Sequence, residues 1–434
     1  MKKIRQSYIR RAILGLLLAF VLFASISSKI GEWYALELYP SISKYLSAFS
    51  SLVPFSLDEW VIILFGCVLM GYPFYARVRM CKKWLPILGD EIEMLLWIYV
   101  WFYWGWGMNY YRANFFQRAE IKPAAYDEER FHEFLAAYTD SLNTSFRTCW
   151  QDGYFHPGMI LSPLNDVDVR ISDGSMNSSD SEFSWGAVKP ISLSSEDDRS
   201  FSNVEEGEEV EEVASDSIQR TTFPSVEKEN EFFLSTFMIR EQIKEIYRKI
   251  PKEYGLSQPK SYQHPKCSSF NSLYSNVGVT GFMGPFFAES HVNHELSLLE
   301  YPFTYAHELS HLLGISSEAE ANLWAYTVCT QSENPFIRFS GYFGLFSYVW
   351  SNTRFLLSSF EFDKWESSVP SEVMAAFHHK QLYWSMRYNE TLGDLQSALY
   401  TFYLKRNRIA SGQRNYSQVI GLLLSLPNFR VEWK

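Results

Sequence analysis

Five residues in the second half of the chain, His307-Glu308-Leu309-Ser310-His311, carry its strongest chemical signal. Residues four apart on a helix share a face, so His307 and His311 can turn both imidazoles toward one metal ion. Glu308 is rotated by about 100° from the first histidine and can reach a water on that ion. Zinc accepts such ligands and lowers the pKa of its water toward about 7; the carboxylate then takes the proton as the oxygen attacks a carbonyl. Tyr305, Ala306, Leu309, Leu312 and Leu313 are the uncharged neighbours of a buried helix, and Gly314 is a residue that ends one. The competing reading is two core-facing histidines on an ordinary helix.

A hydrolytic zinc takes three protein ligands and keeps a fourth position open. The spacing HExxHxxGxxH needs histidine at position 317, where this chain has Ser317. Two carboxylates follow, Glu318 and Glu320, in EAEAN at the start of a second helix. In gluzincin-like enzymes a glutamate on such a helix is the third ligand, backed by a polar residue one turn later. Glu318 with Asn322 fits that arrangement; Glu320 stays open as the alternative third ligand, because helical phase alone does not choose between them. The remaining carboxylate serves only the positive end of the helix. In GPFFAESHVN, Glu289 and Asn293 are candidate substrate-binding residues on a sheet-edge strand that holds an extended peptide, with ordinary solvent-facing positions as the alternative. Tyr342 is a candidate to polarise a developing oxyanion, against a packing role. His291 and His294 have no helical phase with the motif, and His378 and His379 cannot face one metal from a helix, so neither pair is read as ligands.

The elements that must position these residues start in the membrane. Three segments, about 12–28, 60–76 and 92–108, approach the roughly 20 apolar residues that cross a bilayer. For the first the alternative is a cleaved signal peptide, for the aromatic-rich third a buried core helix. Lys2, Lys3, Arg5, Arg10 and Arg11 precede the first segment, and Arg77, Arg79, Lys82 and Lys83 follow the second. The positive-inside rule therefore puts the N-terminus in the cytoplasm and everything after the third span outside it. Residues 111–163 read as a helical connector, with Phe131, Phe134, Leu135 and Tyr138 on one face, and Asn109, Tyr110 and Arg112 as its junction with the third span. Residues 164–230, Ser- and Glu-rich with few apolar side chains, read as a disordered insertion, usually just solvated, with calcium binding the weak alternative. Residues 231–434 form the catalytic region: a helix ending before Pro251, a strand-like stretch broken by glycines, the two site helices, and further helices to about 426.

Composition agrees. An aromatic share of 17% in 434 residues suggests a membrane component, and no basic stripe interleaved with aromatics points to nucleic acid. The net charge of −10 comes largely from the insertion. Five cysteines, none in a CxxC pair, do not support a cysteine zinc site; Cys149, Cys267 and Cys329 leave room for one bridge.

The runs PFTYAHELSHLLGISSEAEANLWAYTVC, FIRFSGY, WGMNYYR, GPFFAESHVN and YTFYLKRNRIASGQRNYSQVIGLLL together resemble the bacterial membrane-protein family DUF3810, a domain of unknown function. That family more often has an HELAHQ-type helix followed by REDEAN; both histidines and both candidate glutamates are kept here, and the acidic insertion is a departure. The resemblance implies a zincin-like domain behind several spans in a bacterial inner membrane. The expectation is thus a mostly α protein, three transmembrane helices followed by a gluzincin-type α+β domain outside the cytoplasm. It would hydrolyse peptides or proteins with Zn2+ held by His307, His311 and Glu318 and with Glu308 as base. The alternatives are a zinc-binding membrane sensor with the same fold, and a metal-free structural membrane protein. Glu308, which a dead enzyme of this type loses, favours the active one.

Overall fold

Helix α1 (Lys2–Ile26) opens the computed structural model, which describes residues 2–125, 127–151, 236–266, 268–394 and 418–433. A helical excursion through α2 (Tyr39–Ser50) leads to α3 (Leu57–Val78), capped by Ser56, whose hydroxyl accepts from the Glu59 amide. Then comes α4 (Trp84–Gly105). Among the described residues, two helical stretches are long and apolar enough to cross a membrane, Gln6–Ile26 and Leu57–Val78. The third expected span needs correcting. Its helix starts eight residues before 92 and stops at Gly105, and its first half carries Asp90, Glu91 and Glu93. Two of those carboxylates have partners: Lys82 on Asp90 at 2.7 Å, and Arg10 and Arg11 on Glu93 at 2.6 and 3.1 Å. The residues after Gly105 form a 3-10 turn, Gly107–Tyr111, buried under the rest of the protein.

The expected connector is also more than a connector. Helix α5 (Glu128–Gln151) repeats Phe131, Phe134, Leu135, Tyr138, Leu142 and Phe146 at helical spacing, and all six are buried. Together with α6 (Thr236–Lys249) it walls the same apolar core as the second half of the chain. Trp365 donates to Thr139 at 2.9 Å and the Tyr138 hydroxyl donates to the Tyr342 carbonyl at 2.7 Å, tying α5 across the chain. Cys149 and Cys329 are both buried; Cys267 lies outside the described residues, as does the acidic insertion.

Among the described residues, one two-stranded antiparallel sheet interrupts the helices, β1 (Gly281–Gly284) with β2 (Glu289–Val292), in the register Gly281 opposite Val292. The strands lie beside α7 (Tyr301–Leu312), which packs on α8 (Glu318–Thr330) and α9 (Pro335–Leu356); α10 (Ser371–Ser385) and α11 (Gln418–Leu424) follow. Helix α8 is buried on nearly every side, with Leu323, Trp324, Ala325 and Val328 fully covered. A helix without a polar face belongs in the middle of a core, where its position is over-determined.

Candidate metal centre

Helix α7 begins with Pro302 in its first turn and ends at Gly314, whose φ of +104° is open to glycine and costly for other residues. A helix leaves its last four carbonyls without internal partners. Here residues distant in sequence take them. Trp106 donates its indole N–H to the His311 carbonyl at 3.1 Å, and Tyr39 its hydroxyl to that of Leu312 at 2.8 Å. The Ser257 amide donates to the Leu313 carbonyl at 3.0 Å and Arg112 Nη1 to that of Gly314 at 2.9 Å. Arg112 also holds Glu32 at 2.7 Å and the Gly255 carbonyl at 2.9 Å, so it ties the chain after α4 to two distant segments. The N-terminal helices therefore fix the end of α7 that carries His311.

His307 and His311 face the same cleft, with their Nε2 atoms 3.1 Å apart. Glu318 Oε2 lies 3.1 Å from the first and 3.6 Å from the second. Two ligand atoms at zinc-bond length on a tetrahedron are about 3.4 Å apart, so three such separations fit one ion at their centre. The other ring nitrogens are engaged: Nδ1 of His311 donates to the Ile315 carbonyl at 2.7 Å, and Nδ1 of His307 to Oδ1 of Asn322 at 2.9 Å. Both bonds leave the Nε2 lone pair toward the cleft, the arrangement metal-binding histidines use.

Charge is concentrated here. Burial pushes the Glu308 carboxyl up to about 7 against the pull of His307 and His311, and its Oε2 is buried without a hydrogen-bond partner. Burial opposes a charge on His311, yet the Glu318 carboxylate outweighs it and brings the imidazole up to about 9. Burial also resists ionising Glu318, but His311 first, then His307, hold its carboxyl well below the ordinary range. The proton shared among these groups is what a cation would displace.

Glu320 is committed elsewhere. It is N3 of α8, two residues from Glu318 and so about 200° around the helix, turned into the core. There Arg118 forms a buried ion pair with it and the Trp324 indole donates to it at 3.2 Å. Asn322 bridges two residues: its oxygen receives the His307 proton and its Nδ2 donates to the Tyr348 hydroxyl at 3.0 Å. The Tyr348 oxygen thus accepts, which leaves its own proton for the cleft; burial pushes this phenol up, so it stays neutral. The cleft holds about 700 Å³ and is bounded by the metal-ligand candidates, β1, Tyr348, Lys380 and the aromatic end of α4.

A family model described as "Protein of unknown function (DUF3810)" matches residues 34–424. The chain belongs to the DUF3810 family. No curated protein and no solved structure matches it. In this DUF3810 protein the match spans α3, both strands, the three converging side chains and Tyr348.

The weaker candidates lie elsewhere in the DUF3810 chain. Glu289 is fully buried, salt-bridged to Lys266 at 2.6 Å, and accepts from the Leu57 and Asp58 amides at 3.2 and 3.0 Å. Asn293 is buried too, donating to Ser275 and to the Val279 carbonyl at 2.9 and 3.0 Å. Neither borders the cleft. The strand expected to hold a peptide is the inner one, because β2 pairs with β1 on one side and bridges Lys266 on the other. The cleft-side strand is its neighbour β1, in GFMG. Tyr342 packs between Tyr138 and Tyr326, at ring separations of 6.0 and 5.6 Å, away from the cleft. Tyr348, six residues further along α9, borders the cleft instead, and no local pattern in the sequence distinguishes the two. His291, read as a non-ligand, is buried with Nε2 2.8 Å from the Ser56 hydroxyl.

Proposed function

We propose that this DUF3810 protein is a membrane-anchored zinc metallopeptidase with a gluzincin-like site. The observation that carries the reading is the convergence of His307 Nε2, His311 Nε2 and a Glu318 oxygen within 4.8 Å of one another, with the partnerless Glu308 carboxylate buried beside them. The apolar helices Gln6–Ile26 and Leu57–Val78 would anchor it. Helix α4, with Asp90 and Glu93 paired, would be the third crossing, and the loop charges favour a site outside the cytoplasm.

His307, His311 and Glu318 would hold the ion, and Asn322 and the Ile315 carbonyl keep both imidazoles in the tautomer that offers Nε2. Bound zinc supplies a Lewis acid that polarises a carbonyl and acidifies a water. Glu308 takes the proton from the attacking water and returns it to the leaving amine; a carboxyl raised to about 7 is matched to both transfers near neutral pH. Tyr348 donates to the oxygen on which negative charge develops. The outer edge of β1 runs along the cleft, where an extended peptide would add as a strand.

The test is Glu308→Gln, which keeps shape but cannot take the proton. Its zinc content should equal the parent's, with hydrolysis reduced by about 10² to 10⁴. Equal hydrolysis by the two proteins would refute the assignment.

A further inference from the structure

The cleft is bounded on one side by the β1–β2 hairpin and by Phe102 and Trp106 at the end of α4. The turn between β1 and β2 does not stand clear of them. The Phe286 ring sits 5.6 Å from Phe65 and 5.6 Å from Trp101, and the Trp101 indole donates to the Phe286 carbonyl at 3.1 Å. Phe65 is eight residues into α3, about 12 Å along its axis, so the turn hangs beside the first two turns of an apolar helix. Asp58, at the head of that helix, accepts from the Phe286 and Phe287 amides at 2.7 and 3.1 Å.

From that turn β1 leads straight to the candidate base. At its near end a Cβ on Gly284 would lie 2.5 Å from the Asp58 carboxylate; at its far end a Cβ on Gly281 would lie 2.6 Å from that of Glu308. Three strand steps, about 10 Å, separate them. The remaining wall on this side, Phe102 and Trp106, is the last turn of α4 and the residue after it.

Resting on the metallopeptidase reading, we infer that the substrate is an extended segment adjoining the membrane anchor of another protein, cut within about six residues of the bilayer surface. A chain emerging from the bilayer beside the turn meets the outer edge of β1 at once and reaches Glu308 after three or four residues. Phe102 and Trp106 offer apolar and aromatic surface to a segment that is itself interfacial. Confinement to one membrane also raises the effective substrate concentration without any further contact.

The full-length protein in phosphatidylethanolamine/phosphatidylglycerol vesicles tests this against a library. Each member has about twenty randomised residues joined at either end to a designed Leu/Ala transmembrane helix. Cut positions are mapped by mass spectrometry. The expected cuts depend on Glu308 and fall within about six residues of the apolar boundary, and a helix-free library is cut at least about 10-fold more slowly. Glu308-dependent cuts spread evenly along the segment, or equal cutting of the helix-free library, would overturn this inference while leaving the peptidase reading in place. No Glu308-dependent cut in any library would end the peptidase reading and this inference with it. A Glu308-dependent change in lipid mass instead would assign the site to lipid hydrolysis and overturn both.

Discussion

Gly281 backs onto Glu308: a Cβ on the glycine would fall 2.6 Å from Oε1 of the carboxylate and 2.7 Å from its Cγ. The strand that borders the cleft therefore also sets where the Glu308 carboxylate can stand. Gly281→Ala should displace Glu308 without touching the ligand candidates. A displacement of about 1 Å at a reacting group can cost about 10² in rate. Zinc content at parental level with kcat down about 10²-fold is the expected outcome. Loss of zinc in this variant would show that β1 supports the ligands rather than the base.

Two carboxylates two residues apart separate into different roles. Glu318→Ala should abolish stoichiometric zinc, measured by elemental analysis, with little loss of thermal stability, because its side chain is 47% exposed. Glu320→Ala should keep the zinc stoichiometry in whatever protein folds, but leave Arg118 buried without its partner, a loss of about 3 to 5 kcal/mol. The reverse pattern would make Glu320 the ligand.

Tyr348→Phe removes one hydroxyl and nothing else from the cleft. Asn322 then loses its second partner but keeps its bond to His307, so zinc should stay bound. If the phenol stabilises the developing oxyanion, kcat should fall about 10²- to 10³-fold with KM little changed. The same substitution at Tyr342 should leave kcat at the parental value, since that ring packs between Tyr138 and Tyr326. A larger loss at Tyr342 would reverse the assignment.

His291 ties stability to pH. Burial holds its imidazole down to about 4, although Glu289 at 3.6 Å and then Glu59 pull it up, with Lys266 opposing them. A histidine whose folded pKa lies below its unfolded value of about 6.5 adds stability that is complete above that value and is lost as pH falls toward 4. The loss over that window amounts to about 3 kcal/mol. Thermal unfolding followed by tryptophan fluorescence at pH 7.5, 6 and 5 should show a steeper decline for the parent than for His291→Gln. Parallel declines would mean that His291 does not carry the dependence.

Much of the site was legible because it is local. The pair His307 and His311 with Glu308 between them is a consequence of helical pitch, and Gly314 marks the end of that helix in the sequence itself. Glu318 and Asn322 repeat the same one-turn logic on the next helix. The apolar stretches 12–28 and 60–76 announced α1 and α3 by length and composition, because a long uncharged helix needs no partner to be recognised.

What the tertiary structure decided are relations between segments far apart in the chain. Glu318 rather than Glu320 faces the histidines because Arg118, some 200 residues upstream, takes the other carboxylate into the core. Glu289 looked like a cleft residue because it sits in a strand near the motif; Lys266 and the head of α3 claim it instead, and a buried carboxylate goes where donors satisfy it. Tyr348 and Tyr342 stand six apart on one helix, and only the packing of α5 and α8 determines which of them meets the cleft. The last carbonyls of α7 are held by Trp106, Tyr39 and Arg112, all from the N-terminal third. The sequence alone thus determined the chemistry that two helical turns can offer. Where those turns stand, and how near they lie to the apolar helices, depends on long-range hydrogen bonds and core packing, which no local periodicity encodes.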